Sequence, residues 1–188
     1  MGGRGRTAEK FSLELLALNC EFLPMESEKR ILFVCTGNTC RSPMAEGIFR
    51  KASKDNVSLV SLGSAGVAAY DGDKISPETA DELKRRDASL NDFSSRSVTK
   101  EMLEGATHVF AMTESHLYTL TRGFPDFADK CYLVCDFLEI NGEGGMDVPD
   151  PIGMGVRAYQ QVGEVFELAI PSLIDFIENE ESTESTNS

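Results

Sequence analysis

The stretch "ILFVCTGNTCRSP", residues 31–43, decides how the rest of the chain is read. It begins as a short, continuous apolar run rich in β-formers, which suits a strand buried on both faces. It then breaks into Thr36, Gly37, Asn38 and Thr39, passes Cys40, Arg41 and Ser42, and places Pro43 where a helix starts. A strand, a tight turn and a helix in this order bring several backbone N–H groups and the positive end of a helix dipole onto one point. That is an anion site. Arg41 adds a planar, permanently charged fork that fits two oxygens of a phosphoryl group. Cys35 lies at the floor of the same turn, where N–H dipoles and a guanidinium favour the thiolate. A thiolate facing a bound phosphoryl group is the layout for in-line attack on phosphorus. Ser42 is placed to hydrogen-bond the sulfur and help it leave. Asn38 can lock the turn through side chain to backbone bonds, and Gly37 is expected to let the backbone bend without a Cβ clash.

Working outward, the pattern alternates strand and helix. "VSLVSLGSAG" reads as a second strand, "THVFAMT" as a third and "KCYLVCDF" as a fourth. "SPETADELKRRD" carries a Ser N-cap, a Pro and a first-turn Glu, and "TKEMLEGA" and "ESHLYTLTRGF" read as two more helices. Tyr159, Val162, Phe166, Ile170, Leu173 and Ile177 mark one face of a C-terminal helix, in which Pro171 is expected to cause a kink or a break. Strands alternating with helices predict a single three-layer α/β domain: a parallel sheet covered by helices on both faces. Loops at the carboxyl ends of such strands form the binding crevice. The turn after Cys35 is one of them. The glycine-rich stretch "NGEGGMDVPDPIGMG" is another, and it reads as a long loop. Asp150 in that loop is flanked by prolines, which stiffen its position, and is the candidate acid for a leaving group; Asp147 is its rival.

The chain has 188 residues, enough for one domain with a sizeable core. Residues 1–28 read as an uncertain N-terminal extension, and Met25 stands just ahead of the first convincing strand. The phosphate-handling domain is assigned to residues 29–178, and 179–188 to a disordered acidic tail. With 18 Lys and Arg against 31 Asp and Glu the net charge is −13, which argues against a nucleic-acid partner. No apolar stretch is long enough to span a membrane, and no secretory signal is evident. The five cysteines are odd in number and unevenly spaced, so they read as reduced thiols in a cytosolic protein. Neither a metal nor a cofactor is called for, and a monomer is the default expectation.

Taken together, "VCTGNTCRSPMAEG", "GSAG" at 63–66, "VFAMTESH" at 109–116 and "DPIG" resemble the low-molecular-weight protein-tyrosine phosphatases. The resemblance spans roughly residues 29–178. It implies a four-stranded parallel sheet and a metal-free reaction through a phosphocysteine on a phosphorylated protein substrate. Cys35 would be the nucleophile, Arg41 the phosphate clamp and Asp150 the acid and then the base. Thr36, Gly37, Asn38, Thr39, Cys40 and Ser42 would form and support the loop. Two positions depart from the tyrosine-directed pattern: Thr39 replaces a bulky aliphatic residue, and Ile152 with Gly153 replaces aromatic residues after the Asp-Pro pair. The sequence looks closer to the bacterial protein-arginine phosphatases of the family. A flat, charged guanidinium suits a hydroxyl-bearing wall better than a hydrocarbon one. Phosphoarginine is therefore the expected substrate and phosphotyrosine the alternative, with Thr39 and Ile152 setting the choice.

Cys40 has two readings, a small packed residue or a redox partner that traps oxidised Cys35 as a disulfide. Cys131 and Cys135 are read as sharing one strand and one face, packed in the core. Were that strand end open toward the loop, they would serve the relay of an arsenate reductase, the third reading of the chemistry. A phosphate-binding module without turnover is a further alternative, disfavoured by the complete Cys, Arg and Asp set. His108 and His116 follow no ligand spacing and are given no role.

Overall fold

The computed structural model describes residues 28–56, 58–138 and 147–179. Four strands, β1 (Lys29–Cys35), β2 (Leu59–Gly66), β3 (His108–Ala111) and β4 (Cys131–Leu133), pair in the order β2-β1-β3-β4, all parallel. Five helices accompany them: α1 (Arg41–Ala52), α2 (Pro77–Arg85), α3 (Lys100–Gly105), α4 (Glu114–Gly123) and α5 (Val156–Asn179).

The strand alternation explains the layers. Ile31, Phe33 and Cys35 of β1 join Phe110 of β3 on one face, packed under Met44, Ile48 and Phe49 of α1, Leu83 of α2 and the apolar face of α5. Leu32 and Val34 point the other way and join Val109 and Ala111 under Leu103 of α3 and Leu120 of α4. Both faces are therefore closed, which is why β1 is apolar without a break from Ile31 to Cys35. Each fully buried Phe, Ile or Leu of this kind contributes about 1.5–3 kcal/mol of transfer free energy. All six residues assigned to the apolar face of α5 are buried.

The helix starts follow the expected chemistry. The Ser76 hydroxyl accepts from Thr79 N–H, with Pro77 in the first turn of α2. Thr99 and Thr113 cap α3 and α4 in the same way. Pro171, by contrast, does not end α5, which runs unbroken to Asn179. Pro171 and Glu167, whose carbonyl loses its helical partner, are both exposed, so water can satisfy that carbonyl. Asn179, assigned to the tail by sequence, is the last helical residue, and 180–188 lie outside the described residues, as do 1–27.

The fourth strand is shorter than expected. It stops at Leu133, and Val134–Phe137 form a 3-10 turn. Cys131 packs against the α3/α4 layer, whereas Cys135 is buried on the α1/α5 side. The two thiols therefore lie on opposite faces of the sheet, not on one.

The β1–β2 ladder contains a bulge. Ile31 pairs with Ser61 and Leu32 with Gly63, so Leu62 is the extra residue. Gly63 has φ +126, and a Cβ there would lie 2.1 Å from the Arg96 guanidinium. Beyond the bulge, Ser64, Ala65 and Gly66 pair with Phe33, Val34 and Cys35, so β2 ends beside the start of the turn.

Candidate active site

The last residue of β1 is Cys35 and the first of α1 is Arg41, so residues 36–40 form the connecting loop. The first turn of α1 carries no acidic residue, which leaves its positive pole uncompensated toward the loop. Cys35 is buried, and its Sγ accepts from the Asn38 N–H at 3.3 Å. Ser42 Oγ stands 3.0 Å from the same sulfur and 3.2 Å from the Ala65 carbonyl. One hydroxyl hydrogen cannot serve both. While Cys35 is a thiol, Ser42 can donate to Ala65 and accept from S–H; once the thiolate forms, the hydrogen is needed on sulfur.

Asn38 holds the loop. It sits at φ +55, a left-handed conformation that Asn tolerates better than most residues. Its Nδ2 donates to Ser42 Oγ and Ser64 Oγ, each at 2.9 Å, and its Oδ1 accepts from Arg96 N–H at 2.9 Å. Ser64 in turn donates to the buried Glu46 carboxylate at 2.8 Å. Every polar atom of the Asn38 side chain is thus satisfied inside the protein, as a buried amide requires.

Gly37 is expected from the sequence to spare the bend a Cβ clash, but the left-handed residue of the loop is Asn38. A Cβ on Gly37 would meet no atom within 4 Å. The glycine that the loop needs is Gly66, where a Cβ would come within 2.3 Å of the Thr36 carbonyl. Gly66 N–H, Val67 N–H and Ala68 N–H are all engaged nearby, the last two donating to the carbonyls of Cys35 and Thr36.

Arg41 is buried to 5% exposure, yet its guanidinium faces the loop. Nη2 donates to Asp150 Oδ2 at 2.6 Å and to Thr36 Oγ1 at 3.3 Å, and Nη1 donates to the Val148 carbonyl at 3.3 Å. Asp150 Oδ1 accepts from Ile152 N–H at 3.2 Å. The rival carboxylate is occupied elsewhere: Asp147 Oδ1 accepts from the Glu114 N–H at 2.8 Å, at the start of α4. Only Asp150 of the two pairs with the arginine. Cys35, Thr36, Gly37, Thr39, Cys40, Arg41, Asp150 and Ile152 together line one small pocket. Ile152 stands at its mouth, 62% exposed.

The residues of this chain from 30 to 183 match the model of the low molecular weight phosphotyrosine protein phosphatases. The chain belongs to this family. A protein-arginine-phosphatase of Bacillus subtilis is 37% identical over 137 residues, covering 73% of this chain and 89% of the relative. Among solved structures, a low molecular weight protein tyrosine phosphatase from T. tengcongensis superposes with a TM-score of 0.71 at 41% identity, covering 78% of this chain and 98% of that one. A mutant arginine phosphatase with a phosphorylated active-site serine superposes with a TM-score of 0.73 at 32% identity, covering 80% of this chain and 97% of that one.

Family membership makes the chain a cysteine-dependent phosphatase of phosphorylated proteins. Cys131 and Cys135 of this phosphatase are poor candidates for an arsenate-reducing relay. Burial pushes the Cys131 and Cys135 thiols up to about 11 each, and the sheet separates them. Among the described residues no group of three or more His, Cys, Asp or Glu is arranged to hold a metal. No described helix is long and apolar enough to cross a membrane.

The sequence left out three residues that the structure brings to the loop. Ser64 and Glu46 support Asn38 from behind, and His116 touches Thr36 from the side, with Nε2 2.8 Å from Thr36 Oγ1. "GSAG" and "VFAMTESH" drew attention as motifs, but nothing in their spacing assigned these contacts. His108 serves the core, its ring stacked against both Phe110 and Tyr132.

Proposed function

We propose that this phosphatase removes the phosphoryl group from phosphoarginine side chains of proteins through a phosphocysteine intermediate. Cys35 Sγ attacks phosphorus while Arg41 and the loop N–H groups hold the equatorial oxygens. The P–N bond breaks, and Asp150 delivers a proton to the departing guanidine nitrogen. Asp150, now a carboxylate, takes a proton from water as that water attacks the phosphocysteine. Ser42 stabilises the sulfur as it leaves. The 2.6 Å contact between Asp150 and the Arg41 guanidinium supports this role for Asp150, since it brings the carboxylate beside the group read as the phosphate clamp.

The observation that carries the choice of substrate is Thr39, which lines the pocket with a hydroxyl-bearing side chain. The aromatic ring of phosphotyrosine would gain nothing from it, and exposed Ile152 offers that ring no stacking partner. The named activity of the Bacillus subtilis relative points the same way. Phosphotyrosine remains the second reading, favoured by the name of the 41% identical structure. The test is hydrolysis of a phosphoarginine protein and a phosphotyrosine peptide side by side. Wild type is expected to prefer phosphoarginine, and Thr39→Ile to move the ratio of kcat/KM values toward phosphotyrosine by about 10-fold or more. A wild type that prefers phosphotyrosine sinks the arginine reading.

The redox role of Cys40 belongs to the same proposal. Its thiol lies 3.4 Å from the Tyr159 hydroxyl, and both Cys40 and Cys35 line the pocket. Peroxide takes Cys35 to the sulfenic acid; the Cys40 thiolate attacks that sulfur, expelling hydroxide as water and leaving a disulfide that a thiol reductant reopens. Activity of the wild type is expected to return after peroxide and then dithiothreitol, and that of Cys40→Ala to stay lost. Equal recovery in both proteins leaves Cys40 as a packing residue.

A further inference from the structure

We infer that His116 is a positioning residue that sets the Arg41 guanidinium through the Thr36 hydroxyl. The inference rests on residues 35–41 being the site that holds the phosphoryl group. His116 comes from the first turn of α4, on the far side of the sheet from α1, and it is buried. Both ring nitrogens are engaged: Nδ1 is 2.8 Å from Thr113 Oγ1 and Nε2 is 2.8 Å from Thr36 Oγ1. Thr113 Oγ1 also accepts the His116 backbone N–H at 3.2 Å, so the residue at one end of the ring is fixed by the helix cap itself. The other end reaches a side chain of the loop after β1, and Thr36 Oγ1 in turn accepts from Arg41 Nη2 at 3.3 Å.

The order of contacts is therefore cap, imidazole, hydroxyl, guanidinium. Without the ring, Thr36 would be free to take a second χ1 rotamer in which its Oγ1 is no longer directed at Nη2. Arg41 would keep its contacts to Asp150 and the Val148 carbonyl, but those lie on the acid loop. His116 supplies the anchor that belongs to the sheet and α4. A neutral ring fits this task in either tautomer, since one nitrogen donates and the other accepts. A protonated ring would set a second cation beside Arg41. The charged groups that face the ring are Arg41, Asp147 and Asp150; burial first and Arg41 second hold His116 down to about 4, against the two carboxylates.

The experiment is calorimetric titration with inorganic phosphate, paired with kcat/KM on an aryl phosphate and with thermal unfolding. Thr36→Val and His116→Ala are each expected to weaken phosphate binding and lower kcat/KM by about 3–10-fold. Thr36→Ser, which keeps the hydroxyl, is expected to stay within about twofold of wild type. The double variant His116→Ala/Thr36→Val is expected to lose no more than the worse single variant, because both break one chain of contacts. Thr36 is an exposed loop residue, so Thr36→Val provides a folded protein even if His116→Ala does not. Phosphate affinity unchanged in Thr36→Val overturns the inference. So does an additive double variant, or a His116→Ala protein that melts earlier and binds phosphate as well as wild type. Absence of phosphate binding in the wild type would instead overturn the reading of the loop itself.

Discussion

Replacing Cys35 by serine is expected to lower turnover of every phosphorylated substrate by about four orders of magnitude or more, measured as phosphate release under saturating substrate. The magnitude follows from what the sulfur does. A serine hydroxyl at this position would keep the size of the group but not its readiness to attack, because alcohols hold their proton far more tightly than thiols. The contacts that favour sulfur as a nucleophile are the Asn38 N–H and the Ser42 hydroxyl, and both would remain. Phosphate affinity should therefore survive while chemistry fails. A serine that does attack would form a phosphate ester, and oxygen is a worse leaving group than sulfur, so the protein would hold the phosphoryl group. The phosphorylated serine in the related arginine phosphatase mutant is of this kind. Mass spectrometry after incubation with substrate should then find a phosphorylated Cys35→Ser protein. Turnover within about tenfold of wild type would show that Cys35 is not the nucleophile.

Asp150→Asn is expected to lower kcat on phosphoarginine by about 10²–10⁴-fold, the usual range for loss of a positioned acid. The effect should shrink on an aryl phosphate whose leaving group needs no proton. That contrast separates an acid from a residue that only binds substrate, whose loss would weaken both reactions alike. Asp147→Asn is the internal control. Its carboxylate accepts the Glu114 N–H at the start of α4; the Asn amide oxygen can still accept that bond, so only the negative charge at the helix start is lost, costing about 0.3–1 kcal/mol of stability and little of the rate. If Asp147→Asn loses the rate and Asp150→Asn does not, the two carboxylates have been assigned the wrong way round.

Cys35 and Arg41 were legible because the turn that joins them is one contiguous stretch, with an apolar strand before it and a helix start after it. Asp150 was legible through its prolines. The contacts of His116 were not, because the pairing with Thr36 spans 80 residues and depends on how β1 and β3 meet. Glu46 looked like any charged residue of an amphipathic helix, and only the β2 bulge shows why it is buried against Ser64. Cys131 and Cys135 were misplaced because a five-residue apolar run fits a strand or a tight helical turn equally well. Pro171 misled in the opposite direction: a helix long enough, with its proline on the wet side, tolerates one missing hydrogen bond.

The contact between Arg41 and Asp150 has a bearing on how the product leaves. On the proposed reading of Arg41 as phosphate clamp, a carboxylate on a proline-stiffened loop would compete at high effective concentration for the same fork as the phosphate. Any free oxyanion must displace it, so part of each anion's intrinsic affinity is spent on that exchange. Substrate can recover the loss through contacts elsewhere on its protein, whereas inorganic phosphate has none to offer. On that reading the loop would work as a tethered eluant, biasing the cycle toward release at the step where a tight anion site would otherwise stall.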